Sequence, residues 1–190
     1  MGVDAATRIA EFAKYERAYE HPKYRMKGER LRDAVSDLSD LPCRGSYLDV
    51  SCGRGDMLRQ AADLGYSPVQ GTEVVAQLLD APRIVKAEAH SLPFVDRSFA
   101  VVSLFDVIEH LLPGDDQSAC MELSRVAQRH ILITANNLPS FNKAGDDLHI
   151  NRRPYDEWDA LFRQWFSGCD VTWLKLNRRY ISESWRIDLP

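Results

Sequence analysis

The chain of 190 residues has no apolar run approaching the ~20 residues that a membrane-spanning helix requires. Its opening, Met1-Gly2-Val3-Asp4, lacks the basic and then apolar stretch of a secretory leader, so a cytoplasmic location and no membrane partner are expected. Cysteine is scarce. Cys43, Cys52, Cys120 and Cys169 stand at no metal-ligand spacing, which points to reduced intracellular thiols and to no metal site. Nor is there an excess of positive charge: 24 Lys and Arg face 28 Asp and Glu, a net charge of -4, which argues against tight non-specific binding to nucleic acid. Internal repeats and low-complexity segments are absent. Hydrophobic content of 45% and charged content of 27% are ordinary for a globular protein. The length suits one domain with a single core and leaves little room for a separate recognition domain.

What the chain does have is a loop with a chemistry. Tyr47-Leu48-Asp49-Val50 reads as a short apolar strand, and Ser51-Cys52-Gly53-Arg54-Gly55 as a tight small-residue turn entering a helix. Glu73, twenty residues after Gly53, closes the next strand. This arrangement holds an adenosine-type cofactor at the carboxyl edge of a parallel sheet. A dinucleotide needs its helix N-terminus free to meet a diphosphate, and Asp56 in that position would repel one. S-adenosylmethionine fits better. It carries no phosphate, offers a ribose diol to Glu73, and has a positive centre that tolerates nearby carboxylates.

Strand and helix then alternate, which predicts an α/β fold. Strands are predicted near Tyr47–Val50, Val69–Glu73, Ile84–Ala87, Ala100–Phe105 and His130–Ala135, with helices near Gly55–Leu64, Val74–Leu79 and Asp116–Gln128. Such alternation implies a parallel sheet with right-handed crossovers. Before it, two amphipathic helices are predicted within residues 1–40, joined by the turn His21-Pro22-Lys23-Tyr24. After it, Pro154 is placed as a first helical residue, and Tyr155, Trp158, Leu161, Phe162, Trp165 and Phe166 form an apolar stripe that packs on the sheet. Val171–Leu176 and Ser184–Leu189 read as a final antiparallel pair linked around Asn177-Arg178-Arg179. The basic residues Lys14, Arg17, Lys23, Arg25, Lys27, Arg30 and Arg32, with Arg152-Arg153 and Arg178-Arg179, read either as an anion-holding set or as solvated faces balanced by Glu11, Glu16, Glu20 and Glu29.

Four ordered segments give the chain a family likeness over about Gly45 to Ala135. They are Leu48-Asp49-Val50-Ser51-Cys52-Gly53-Arg54-Gly55; Glu73; Ala87-Glu88-Ala89-His90-Ser91-Leu92-Pro93-Phe94; and Ser98-Phe99-Ala100-Val101-Val102 through Phe105-Asp106-Val107-Ile108-Glu109-His110-Leu111. Together they resemble the class I S-adenosylmethionine-dependent methyltransferases of the small, metal-independent, type 11-like kind. Ser51 stands for the usual first glycine, Ala87 for a Gly, Glu88 for an Asp and Ala100 for a common Asp. A positive φ at Ser51 would cost roughly 1 kcal/mol. The resemblance implies a Rossmann-like seven-stranded sheet, mostly parallel with a C-terminal antiparallel hairpin and helices on both faces. It implies one domain over residues 1–190, with an N-terminal helical lid (1–40) on a sheet core (45–190).

The same resemblance distributes roles around the cofactor. Gly53 and Gly55 let the backbone come close, with Ser51 beside them. Asp49 meets the ammonium of the methionine half, directly or through water, and Glu73 accepts from both ribose hydroxyls. Glu88 accepts from the adenine amino group while the Ala89 amide donates to a ring nitrogen. Phe105 and Asp106 offer carbonyls to the methionine amine.

Methyl transfer from a sulfonium needs positioning and, for an oxygen or nitrogen acceptor, removal of a proton. His110, in the turn Glu109-His110, is the first candidate base and His149 the second. Each could instead be structural: His110 as a helix-start histidine orienting its neighbour, His149 as a loop-packing one. Tyr15, Tyr19 and Tyr24 are either packing residues or a cover over the cleft. The turn Phe105-Asp106-Val107-Ile108 lacks the Asn/Asp-Pro-Pro-aromatic pattern of amino methylation on DNA bases. Pro42-Cys43 precedes the first strand, on the wrong side for carbon methylation of pyrimidines. A small acceptor is therefore expected, sugar-, nucleotide- or metabolite-like, with S-adenosylhomocysteine as the second product. A homodimer stays open. The competing readings are a non-catalytic S-adenosylmethionine-binding regulatory or partner subunit and a nicotinamide-dependent oxidoreductase.

Overall fold

A computed structural model of the chain describes residues 4–79, 83–174 and 182–190. Among these residues seven strands form one sheet: β1 (Tyr47–Asp49), β2 (Val69–Glu73), β3 (Ile84–Lys86), β4 (Phe99–Leu104), β5 (Ala127–Asn136), β6 (Asp170–Trp173) and β7 (Ser182–Asp188). Their order is β3-β2-β1-β4-β5-β7-β6. β1 lies between β2 and β4, both parallel to it, and β5 extends the parallel set. β7 runs antiparallel to β5 and to β6, as the expected C-terminal pair requires. The link predicted around Asn177-Arg178-Arg179 lies outside the described residues, as does the end of the strand predicted to reach Leu176.

Period-2 alternation sorts the two faces. Tyr47, Val101 and Leu132 point to the side where α2 (Gly28–Ser39) contributes Ala34 and Leu38, and α3 (Asp56–Asp63) contributes Met57, Leu58 and Ala61. Leu48, Val102, Ile131 and Ile133 point to the other side, which holds Ala119 and Leu123 of α4 (Asp115–Val126) and Trp158 and Phe162 of α5 (Tyr155–Trp165). On that face the aromatic stripe is core. The Phe162 ring meets Trp185 of β7 edge-on at 5.1 Å, and Trp158 stacks on Phe162 at 5.5 Å.

Several predicted boundaries shift. The helix expected over Val74–Leu79 is only a 3-10 turn, Ala76–Leu78, because Val75 is still extended (ψ 112°). α4 ends at Val126 rather than Gln128, and β5 starts at Ala127, three residues early, since Ala127 itself turns to ψ 148° and helix passes into strand without a loop. Pro154 precedes α5 instead of opening it, with ψ 148°.

The first helix, α1 (Ala5–Tyr19), is built differently. Asp4 caps it by accepting from the Thr7 amide at 3.0 Å, yet Ala18 is its one buried residue. It lies across the carboxyl ends of β1 and β4 and is fastened there by polar contacts. Arg8 reaches Glu88 at 2.8 Å and Asp115 at 2.6 Å, Arg17 reaches Asp146 at 2.7 Å, and Arg54 donates to the Tyr19 carbonyl at 2.7 Å.

Phe162→Ala should lower the unfolding free energy by about 3–5 kcal/mol, because it empties a core site that α5 and β7 share. Ile9→Ala, on a side chain 69% exposed, should change it by no more than about 0.5 kcal/mol. Urea unfolding of both variants against the parent checks the contrast.

Candidate active site

The turn after β1 follows the path that its small residues permit. Ser51, Gly53 and Gly55 all have positive φ, 58°, 55° and 70°. Ser51 thus bears the left-handed strain expected of it. A Cβ on Gly53 would come within 2.5 Å of the Tyr19 hydroxyl, so a side chain there would push Tyr19 aside in addition to straining the left-handed torsion.

Glu73 holds this turn in place. Its Oε2 accepts the Gly53 amide at 2.9 Å, and Oε1 accepts the amides of Val74 (2.7 Å) and Val75 (3.2 Å). A carboxylate has about four acceptor positions, and three are filled by backbone. Burial raises its affinity for a proton while these three amides pull the other way. Asp49, also buried, accepts from the Ser103 hydroxyl at 2.7 Å. Burial, with the charges of Glu73 and Asp56 adding to it, pushes Asp49 up to about 7. Asp56 itself is paired with Arg25 and Arg59. Its charge is therefore partly offset, which weakens the repulsion of a diphosphate expected of Asp56. Two buried carboxylates short of cations suit a ligand that brings an ammonium and a sulfonium.

A cleft of about 120 Å³ opens beside the turn, smaller than the roughly 300–1,000 Å³ of most small-ligand sites. Ser51, Glu73, Glu88, Ala89, Asp106 and His110 line it. An adjoining cavity shares Ser51, Asp106 and His110 and adds Asp49, Gly53, Phe105 and His149. Among the expected site residues, Gly55 and Glu109 lie on neither wall. Gly55 lies behind the turn, where a Cβ would touch Leu58 at 3.4 Å, and Glu109 is fully buried beneath its neighbour His110.

Residues 48–131 match the family described as a methyltransferase domain. No curated protein matches the chain by sequence. The fold, however, is shared with solved methyltransferases. The 1,6-didemethyltoxoflavin-N1-methyltransferase of Burkholderia thailandensis, solved with its substrate and S-adenosylhomocysteine, superposes with a TM-score of 0.72 at 14% identity, covering 100% of this chain and 92% of that one. Magnesium protoporphyrin IX methyltransferase of Synechocystis, solved with S-adenosylmethionine, gives 0.66 at 13% over 100% and 99%. The methyltransferase bound to the Trm112 activator of Haloferax volcanii gives 0.64 at 14% over 97% and 95%. Residues 48–131 thus match a methyltransferase domain, on a fold shared with methyltransferases solved with S-adenosylmethionine or S-adenosylhomocysteine.

On the acceptor side of this methyltransferase domain, β4 runs into Phe105 and Asp106 and then a 3-10 turn, Ile108–His110. Asp106 has φ 53°, its amide donates to Thr134 Oγ1 at 2.7 Å, and its carboxylate accepts from Ser182 (3.1 Å) and Arg30 (3.3 Å). His110 and His149 meet edge to face at 4.5 Å between ring centroids. Burial, aided by His149, drives His110 down to about 3, and burial lowers His149 too, so both rings are neutral at neutral pH. His110 Nδ1 lies 2.9 Å from the Leu148 carbonyl, and His149 Nδ1 lies 2.6 Å from that of Leu138. A carbonyl only accepts, so each Nδ1 carries the proton and each Nε2 keeps its lone pair.

Sequence reading left Tyr15 and Tyr24 undecided and passed over Arg8. In the structure Arg8, Glu11, Phe12, Tyr15 and Tyr19 line the cleft together, and Tyr15 Oη lies 3.0 Å from His110 Nδ1 and donates to the Leu148 carbonyl at 3.1 Å. Their spacing of three, one, three and four residues is one helix face, and that periodicity was the available signal. Four of the basic residues close long-range pairs, Arg17–Asp146, Arg25–Asp56, Arg30–Asp106 and Arg153–Asp116. Lys14–Glu11 and Arg32–Glu29 follow the local balance expected. Arg178-Arg179 lies outside the described residues.

Asp49 makes stability pH-dependent in a defined sense. Its proton affinity rises from 3.8 to about 7 on folding, so between those values the native state holds the extra proton and stability falls as pH rises. Asp49→Asn should therefore gain on the parent across that window, by a few kcal/mol on the order expected for such a shift. Urea unfolding of both proteins at pH 5 and pH 8 measures the difference.

Proposed function

We propose that the protein transfers a methyl group from S-adenosylmethionine to an oxygen or nitrogen of a small-molecule acceptor, sugar-, nucleotide- or metabolite-like. The observation that carries the choice of a small acceptor is the position of α1. Arg8, Tyr15 and Arg17 pin it across the cleft, so the acceptor has an enclosed space to enter rather than an open groove in which a polymer could lie. The small-molecule substrate of the Burkholderia relative is in keeping with this. Residues 1–40 act as the cover and 45–190 as the body of one domain. Four free thiols go with the cytoplasmic placement read from the sequence, and no helix among the described residues is long and apolar enough to cross a membrane.

S-adenosylmethionine supplies an electrophilic methyl carbon on a positively charged sulfur. The chain's contribution is to hold and to deprotonate. Asp49, once ionised, receives the ammonium, and the acceptor position left on Glu73 Oε2 takes a ribose hydroxyl. Glu88, despite its pairing with Arg8, faces the cleft beside the Ala89 amide, where an adenine edge would meet both. Gly53, Gly55 and Ser51 shape the turn, and the carbonyls of Phe105 and Asp106 flank the methionine amine. His110 or His149, each neutral with a free Nε2, accepts the acceptor's proton; Glu109 fixes the turn that carries His110 through the Asn136 amide at 3.1 Å.

Calorimetry on the purified chain should detect S-adenosylmethionine, and Glu73→Gln should weaken it at least tenfold. Because Asp49 must lose its proton to meet an ammonium, affinity should also fall by up to tenfold per unit below about pH 7. Formation of S-adenosylhomocysteine with a panel of hydroxyl and amine acceptors tests the transfer. Tight cofactor binding with no turnover on any acceptor would favour the non-catalytic partner subunit, and binding of NAD in its place would sink the proposal.

A further inference from the structure

Glu109 is the least explained residue of the site. It is fully buried, its Oε1 accepts the Asn136 amide, and its Oε2 has no partner among the described residues. A buried carboxylate oxygen left so costs at least the desolvation of a polar group, roughly 1–3 kcal/mol and more when charged. Burial and the nearby Asp106 accordingly drive its proton affinity well up. Deprotonating an acceptor does not require this arrangement, since one histidine would serve.

The two histidines stand beside the Glu109 carboxylate. One ligand atom each from Glu109, His110 and His149 lie within 4.8 Å of one another. Both imidazoles are neutral, and both donate Nδ1–H to a backbone carbonyl, Leu148 and Leu138. That second hydrogen bond fixes the tautomer and ring direction of metal-ligating histidines.

We propose that Glu109, His110 and His149 form a binding site for one divalent first-row transition cation. Two imidazoles and one carboxylate select a cation of the Fe2+, Co2+ or Zn2+ type over Mg2+ or Ca2+, which prefer all-oxygen shells. Three protein ligands leave coordination positions open. The site lies beside Asp106 and Ser51, so an acceptor hydroxyl that entered the cavity would complete the coordination. Bound there, the oxygen is placed and its proton passes more readily to water. This departs from the metal-independent character that the sequence suggests. The role toward the acceptor rests on the methyltransferase reading, whereas cation binding does not.

The test uses the full chain, stripped with a chelator and titrated with Co2+, whose visible absorption reports nitrogen and oxygen ligation. One equivalent should bind, Zn2+ should displace it, and His149→Ala and Glu109→Gln should each weaken it at least hundredfold. His149→Ala serves as the primary variant because its ring lies at the cavity wall, whereas Glu109 is sealed in the interior. Sub-stoichiometric Co2+ binding by the parent, or binding by His149→Ala equal to the parent's, overturns the site. Calorimetry with S-adenosylmethionine on the same parent sample separates the two ideas. Cofactor binding without Co2+ binding removes the metal site alone, and Co2+ binding without cofactor binding removes the methyltransferase reading while leaving the site.

Discussion

The Glu73 carboxylate, accepting amides from both sides of the cleft, is the constraint on which the site depends. Its contact with Gly53 fixes a turn that contains a strained Ser51, and its contacts with Val74 and Val75 shape the exit of β2. Without the carboxylate, three buried or half-buried amides would lose their acceptor. The turn could then relax away from positive φ, and the approach of Tyr19 to Gly53 would go with it. The residue read from sequence as a ribose ligand is thus first a fastener of the protein. One acceptor position remains, so the proposed contact of Glu73 with a ribose would be single rather than double.

Asp49, Glu73 and Glu109 are all buried around one cleft, and burial raises the proton affinity of each. Such placement opposes stability in the unliganded protein, since each ionised carboxylate gives up water for few partners. The arginines do not resolve it: Arg25 and Arg59 go to Asp56, Arg30 to Asp106, and Arg8 to Glu88 and Asp115. The unneutralised acids are those that face ligand space or lie directly behind it. A site organised this way gains most from cationic ligands. In the proposed complex the sulfonium and ammonium of the cofactor would answer Asp49 and Glu73, and a metal cation would answer Glu109.

The sheet was legible because its strands are short apolar runs whose alternation is set by burial on two faces. Tyr47 and Leu48, or Val101 and Val102, divide between the two cores as a period of two demands. What escaped was local competition between conformations. Val74–Leu79 has helical composition, yet the extended Val75 leaves room for only one 3-10 turn. Ala127–Gln128 has helical neighbours, yet β4 claims it as strand, with a bulge between Phe99 and Val101. The glycine turn and Glu73 were readable from spacing alone. Arg8 was passed over and Tyr15 was left undecided beside Tyr19 and Tyr24, because the partners Asp115 and Leu148 lie more than a hundred residues away in the chain. The same holds for the joining of His149 to Glu109 and His110, which only the return of the chain after β5 brings about.

The way α1 is held separates it from every other helix. α4 and α5 bury leucine, tryptophan and phenylalanine against the sheet, an attachment of order 1.5–3 kcal/mol per large side chain. α1 buries Ala18 and relies on ion pairs and hydrogen bonds at half-exposed positions, each worth about 1 kcal/mol or less. Lifting it therefore costs far less than unfolding the sheet, and it is the element whose displacement opens the cleft. Its fastenings sit on the site itself: Arg8 on Glu88, Tyr15 on the carbonyl that orients His110, Tyr19 over Gly53. A ligand that engages Glu88 or the Gly53 turn must displace or rearrange those contacts, so occupancy of the cleft and the position of α1 are coupled through the same atoms. If α1 acts as the cover proposed for it, the cover and the binding surface are one structure, and the weakness of its attachment would let the cleft admit its ligands.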